Sequence, residues 1–183
     1  MGLFDFLKKN TDAGEAYVAI AAAISADDKA VIARMKDCVS NTKAYVQKNE
    51  ERFEERGFEI EDLEDEEEEI KWLALVDILE ENEYVCERDW KDELEDFVYF
   101  VGNLKSVKAR ALPLEKEWFD EEGNVVDWCK VLDEKWKDLG CCVAAIDIDS
   151  DSYVLFAYDV DKLDKLCELA EELDRTIDWA KNM

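Results

Sequence analysis

The stretch GCCVAAIDIDSDSYVLFAYD, from Gly140 to Asp159, reads as two apolar strands joined by a tight acidic turn. Val143, Ala145, Ile146 and Ile148 lead in. Asp149, Ser150, Asp151 and Ser152 supply the turn, and Tyr153, Leu155, Phe156 and Tyr158 lead out. Asp and Ser side chains bond their own main chain in turns, so the pattern predicts a β-hairpin.

Working outward, helical periodicity dominates. Ala13 to Ile24 is alanine-rich and helix-favouring. A longer helix is expected from Asp27 to about Arg56, with Val31, Ile32, Met35, Val39, Tyr45, Val46 and Phe53 near helical spacing. Gly57 is placed to close it. Glu66 to Glu69 open the next helix, where negative charge suits the positive end of the dipole, and Ile70, Trp72, Leu73, Leu75, Val76, Ile78 and Leu79 follow. Tyr84 to Trp90 reads as a strand. Asp92 to Leu104 reads as an amphipathic helix with Leu94, Phe97, Val98, Phe100, Val101 and Leu104 on one side. Trp118 to Asp127 reads as a short strand and turn, Val126 to Leu139 as a helix stopped by Gly140, and Asp161 to Lys181 as a final helix. The expected fold class is α+β: a small antiparallel or mixed sheet with a C-terminal hairpin, covered by several helices. The expected division is a helical N-terminal region, 1–65, and an α+β domain, 66–183, packed as one unit. Leu3, Phe4, Phe6 and Leu7 form an apolar cluster expected to tuck the N-terminus against the body.

Composition narrows the function. Net charge is −26 across 183 residues, and thirteen acidic residues fall among the twenty from Glu50 to Glu69. Such a surface repels phosphate backbones and anionic headgroups, so neither nucleic acid nor membrane is an expected partner; a basic protein is. The 48% hydrophobic content is ample for a core, which argues against disorder despite the charge. No histidine occurs, which removes Ser–His and Cys–His catalysis and the histidine-containing zinc sites. Six cysteines, with no C-x-x-C pair among them, read as reduced, buried thiols of a cytoplasmic protein. MGLFDFLKKN lacks the apolar run and cleavage site of a signal peptide, and Phe6 stands where a myristoylation motif needs Ser or Thr.

Three elements together carry a family resemblance. They are the apolar helix with Trp72, Leu75, Ile78 and Leu79; Tyr84 followed by DWKDE, Asp89 to Glu93; and Leu139-Gly140 followed by IDIDSDSY, Ile146 to Tyr153. Over roughly residues 70–160 the chain resembles the bacterial DUF6630 domain. That resemblance implies no activity, but it marks Asp89, Trp90, Asp151 and Tyr153 as the positions that carry it. A fainter likeness, of pattern and charge, is to the SUKH immunity-type fold, in which an acidic α+β protein neutralises a toxin.

Two candidate sites emerge. Asp147, Asp149 and Asp151 form D-x-D-x-D; on an extended strand three carboxylates share one face and could hold Mg²⁺ or Ca²⁺. The run is not an EF-hand, because Ser152 stands at the turn glycine and Tyr158 at the bidentate glutamate. The alternative for this run is a hydrogen-bonded turn with solvated carboxylates. At the second site, Asp89 and Lys91 flank Trp90 and could bind a polar ligand; alternatively Asp92 caps the following helix while Trp90 packs. Cys141 and Cys142 sit in negative surroundings that raise a thiol pKa, so a structural role is expected, with one side chain pointing inward and one outward. The resulting expectation is a non-enzymatic, immunity- or antitoxin-like binding protein that uses no cofactor. Its candidate binding residues are Asp89, Trp90, Asp149, Asp151 and Tyr153. The rival is a divalent-metal-binding module or metal-dependent enzyme built on Asp147, Asp149 and Asp151.

Overall fold

The computed structural model describes residues 13–58 and 66–183. The cluster Leu3, Phe4, Phe6 and Leu7 and residues 59–65 of the acidic run lie outside the described residues. The chain divides into two compact units, one ending at Leu75 and one beginning at Val76. Among the described residues it forms nine α-helices and one four-stranded antiparallel sheet, an α+β fold.

The first unit is helical: α1 (Ala13–Ile24), α2 (Lys29–Ser40), α3 (Thr42–Lys48), α4 (Glu50–Glu55) and the start of α5 (Glu67–Glu81). Tyr17, Ile20, Val31, Met35, Phe53 and Trp72 are buried. The Tyr17 and Trp72 rings meet edge-on with centroids 6.4 Å apart, and the Tyr17 hydroxyl donates to the Glu68 carbonyl at 3.1 Å. The single helix expected from Asp27 to Arg56 is instead three helices, broken at two asparagines. Asn41 Oδ1 accepts the Ala44 N–H at 3.0 Å, and Asn49 Nδ2 donates to the Tyr45 carbonyl at 2.8 Å. Such local side-chain bonds compete with the helix ladder and end it. Gly57, at φ +88°, closes α4 as expected, its N–H reaching the Glu54 carbonyl at 2.9 Å.

The second unit carries the sheet: β1 (Cys86–Asp89), β2 (Cys141–Ile146), β3 (Ser152–Asp159) and β4 (Ile177–Trp179), in the order β1-β3-β2-β4. The predicted hairpin supplies the two central strands, with Ala145 opposite Leu155. Every residue of β2, and Val154 to Tyr158 of β3, is buried. Such a run needs cover on both faces. On one face Val143, Ala145, Leu155 and Ala157 join a core with α6 (Leu94–Asn103), α7 (Lys105–Arg110) and α8 (Val125–Trp136). Against the sheet also lies α9 (Val160–Glu171), whose Leu163 and Leu166 are buried. Cys141 and Cys142 alternate across the strand, yet both are buried because both faces are covered.

Two further expectations are corrected. Residues 161–181 are not one helix: the chain turns at Asp174, φ +54°, and Ile177 to Trp179 form β4. The free edge of β2 offers main-chain bonds that outweigh continuing α9. Residues 118–127 hold no strand; a 3₁₀ turn at Lys116–Trp118 leads to Asn124, whose side chain accepts the Asp127 N–H at 3.0 Å and starts α8. Gly123 is obligatory here, since a Cβ would lie 2.8 Å from Trp128 Nε1 and 3.0 Å from the Asp120 carbonyl oxygen.

The outer edge of β1 is occupied by side chains. Glu80 Oε1 accepts the Glu87 N–H at 3.1 Å, and Arg88 Nε donates to the Glu87 carbonyl. Edge strands otherwise expose such groups for pairing with another chain.

Candidate functional site

The antiparallel register of β1 on β3 sets Asp89 opposite Ser152 and Arg88 opposite Tyr153. The Trp90 N–H extends the ladder, donating to the Asp151 carbonyl at 3.2 Å. The two motifs singled out in the sequence, DWKDE and SDSY, are thereby joined at the turn end of the sheet. They wall a cleft of about 360 Å³. Trp90, Tyr153, Ile146 and Met183 give it aromatic and apolar surface; Asp147, Asp151, Ser150 and Ser152 give it oxygens. No basic side chain lines it among the described residues. Trp90 is 45% exposed, and Asp147 and Asp151 are exposed. Lys91 Nζ lies 4.4 Å from the Trp90 ring centroid, so this indole already accepts an ammonium.

The turn itself is built by its own side chains. Asp147 Oδ1 accepts the Asp149 N–H at 2.9 Å, and Ser150 Oγ accepts the Ser152 N–H at 3.1 Å. The Asp147 N–H donates to the Thr176 carbonyl at 3.0 Å, tying the turn to the residue before β4. Asp149 has φ +53°, a left-handed position that Asp tolerates in turns, and its Oδ2 lies 4.0 Å from Arg175 Nη1.

This geometry corrects the extended-strand placement expected for Asp147, Asp149 and Asp151. β2 ends at Ile146 and β3 begins at Ser152, so the three carboxylates lie in a turn and not on one face of an extended strand. Asp147 is spent on the main chain and Asp149 sits beside Arg175, while Asp151 borders the cleft. Among the described residues, no group of three or more Cys, Asp or Glu side chains is arranged to hold a metal ion.

Asp89 and Asp92 divide their roles differently from the expectation. Asp89 Oδ1 accepts the Lys91 N–H at 2.8 Å and shapes the turn after β1. Asp92 does not cap α6; the cap position is Glu93, without a side-chain bond. Asp92 Oδ2 instead accepts from Arg88 Nη1 at 3.3 Å. Burial raises the Asp92 carboxyl above its ordinary pKa, and the nearby Arg88 guanidinium opposes that shift.

The sequence reading missed Arg88, Tyr99 and Phe100. Phe100 does not share the apolar side of α6 expected for it: Leu94, Phe97 and Val101 fill that side, and Phe100 is 37% exposed. The helical spacing of Leu94, Phe97, Val101 and Leu104 was the signal, since it leaves Tyr99 and Phe100 off the stripe. The Arg88 guanidinium stacks 3.7 Å from the Phe100 centroid.

Burial pushes the Cys142 thiol up to about 12. Cys141, also buried, accepts from Arg110 Nη1 at 3.0 Å. A larger groove, of about 730 Å³, lies in the first unit along α1, α2 and the start of α5. It holds Val18, Ala22, Ile32 and Val39 with both Lys71 and Glu68, which pair with each other at 2.7 Å. It contains none of the candidate residues of the sequence, which gather instead at the sheet-end cleft.

No helix is long and apolar enough to cross a membrane among the described residues. A family model described as a domain of unknown function (DUF6630) matches residues 16–180, a wider span than the 70–160 of the sequence resemblance. No match was found among curated proteins or among solved structures.

Proposed function

Because the chain belongs to the DUF6630 family, a domain of unknown function, we propose its role from its own geometry: it is an acidic binding module that seats a basic partner protein at the sheet-end cleft. One observation carries this reading. A half-exposed indole, Trp90, stands beside the exposed Asp151 carboxylate in a cleft that no basic side chain lines among the described residues. Aromatic surface beside the exposed Asp151 carboxylate suits a Lys or Arg side chain, through cation–π attraction and charge-assisted hydrogen bonds. The net charge of −26 adds long-range attraction for a basic protein.

The narrower form of this reading is immunity- or antitoxin-like: the acidic surface covers a basic partner and inhibits it. Charge and the fainter SUKH-like pattern motivate it, and no catalytic constellation among the described residues argues for chemistry of its own. A cytoplasmic setting fits the six free cysteines, five of them buried.

The test is affinity capture from host extract at about 0.05 M and about 0.5 M salt, a range over which screening lengths shrink severalfold. The expected result is a basic protein retained at low salt and released at high salt. Trp90→Ala and Asp151→Asn should each weaken retention, with an unchanged circular dichroism spectrum. Retention that ignores both salt and these substitutions overturns the reading.

A further inference from the structure

We infer that the exposed aromatic residues next to the cleft, Trp90, Phe100 and Tyr99, with the half-buried Arg88 stacked on Phe100, are the second half of the partner surface, and that the partner presents an apolar side chain beside its basic one. The inference rests on the basic-partner reading above and adds to it a requirement that charge alone does not supply.

Arg88 lies on β1 and Trp90 two residues on, where its N–H continues the β1–β3 ladder to the Asp151 carbonyl. Arg88 stacks on Phe100 at 3.7 Å, and the Phe100 and Tyr99 rings meet edge-on with centroids 5.2 Å apart. Tyr99 is 64% exposed, which is far more than packing within the helix requires. Arg88 is answered by Asp92 at 3.3 Å. Its charge is therefore matched locally, and the flat guanidinium extends the aromatic surface without repelling a cation. Asp89 and Asp96 add acidic groups around these residues.

A patch of Trp, Tyr, Phe and Arg with a charged polar rim is the composition of binding hot spots. Among the described residues, the other exposed large hydrophobics, Leu139 and Val160, lie at the opposite end of the β2–β3 pair and include no aromatic ring. The continuity of this patch with the cleft at Trp90 and the acid around both select one occupant: a segment of a basic protein in which an aliphatic or aromatic side chain neighbours a Lys or Arg.

The test uses two synthetic peptides of equal charge and length, a lysine–serine peptide and the same peptide with leucine at its central serines. Affinities are measured by calorimetry at low salt, and the Trp90 indole and Tyr99 amide signals are followed by NMR. The leucine peptide is expected to bind about tenfold tighter, the scale of one hot-spot side chain. Tyr99→Ser should remove that advantage while leaving the lysine–serine affinity unchanged. Tyr99 is largely exposed, so the substitution leaves the fold intact; Phe100→Ser provides a second reading. Equal affinities for the two peptides, or an advantage that survives both substitutions, overturn the inference and leave the basic-partner reading standing. Binding of neither peptide overturns both.

Discussion

Asp133 sits on α8 with Oδ1 2.9 Å from the main-chain N–H of Val143 and Oδ2 3.0 Å from Lys181 Nζ. It is 7% exposed, and it supplies a central strand with an acceptor just beyond the Ala144–Trp179 pair at the end of β4. Removing it orphans a buried donor. Asp133→Ala is expected to cost about 2–4 kcal/mol in a denaturant titration. Asp133→Asn, which keeps an acceptor for Val143, should cost less. No sequence signal separates Asp133 from the other acids around it, because its role comes from where α8 meets β2. Trp90 and Asp151 were legible for the opposite reason. A tryptophan in an acidic turn segment and a serine–aspartate turn carry their chemistry in their neighbours. What stayed hidden was that one main-chain bond joins them.

Elements were legible where local chemistry decides them. The hairpin is one case: turn residues and apolar runs agree, and β2 and β3 pair as the pattern demands. Gly57 and Gly140 end their segments at positive φ for the same reason. β4 was not legible, since Ile177-Asp178-Trp179 is three residues long and pairs only because β2 has a free edge. The long helix failed at Asn41 and Asn49, whose capping bonds are local but were outvoted by the apolar spacing around them. The guarded edge of β1 gives a prediction at this scale. Glu80→Ala leaves the Glu87 N–H without its carboxylate. The expected loss of stability is about 0.5–1.5 kcal/mol. The sharper signature is concentration-dependent association in light scattering, absent in the unchanged protein.

At the scale of the whole molecule, charge sets the response to pH. Burial raises the Asp133 and Asp92 carboxyls above the ordinary 3.8, so the native state holds those protons more tightly than the unfolded chain does. Stability from these groups therefore grows as pH falls through their native pKa values, and it is complete below about 3.8. Lowering the pH also relieves repulsion within a chain of net charge −26. Asp159 and Glu67 act the other way. Hydrogen bonds from Lys162 and Lys71 hold them below 3.8 and 4.5, so their contribution is lost only as pH falls below those values. The melting temperature should therefore rise as pH is lowered from 7 toward the ordinary carboxyl range and fall again below that range, each 1 kcal/mol moving it by about 2–4 °C. A melting temperature that falls steadily from pH 7 downward contradicts this balance. The overall acidity was plain in the composition, but which carboxyls are raised and which lowered depends on burial and on partners distant in sequence, such as Lys181 and Arg110.

Buried residues of β2 and β3 hold the backbone beneath the cleft, Asp147 and Ser150 shape its turn, and Asp151 stands exposed at its border. Exposed positions of this kind change stability by only about 0.5 kcal/mol when substituted. Descendants of such a chain are free to exchange Asp151 while the strands beneath it stay fixed. One lineage can thus acquire new partners one substitution at a time, without passing through an unfolded ancestor.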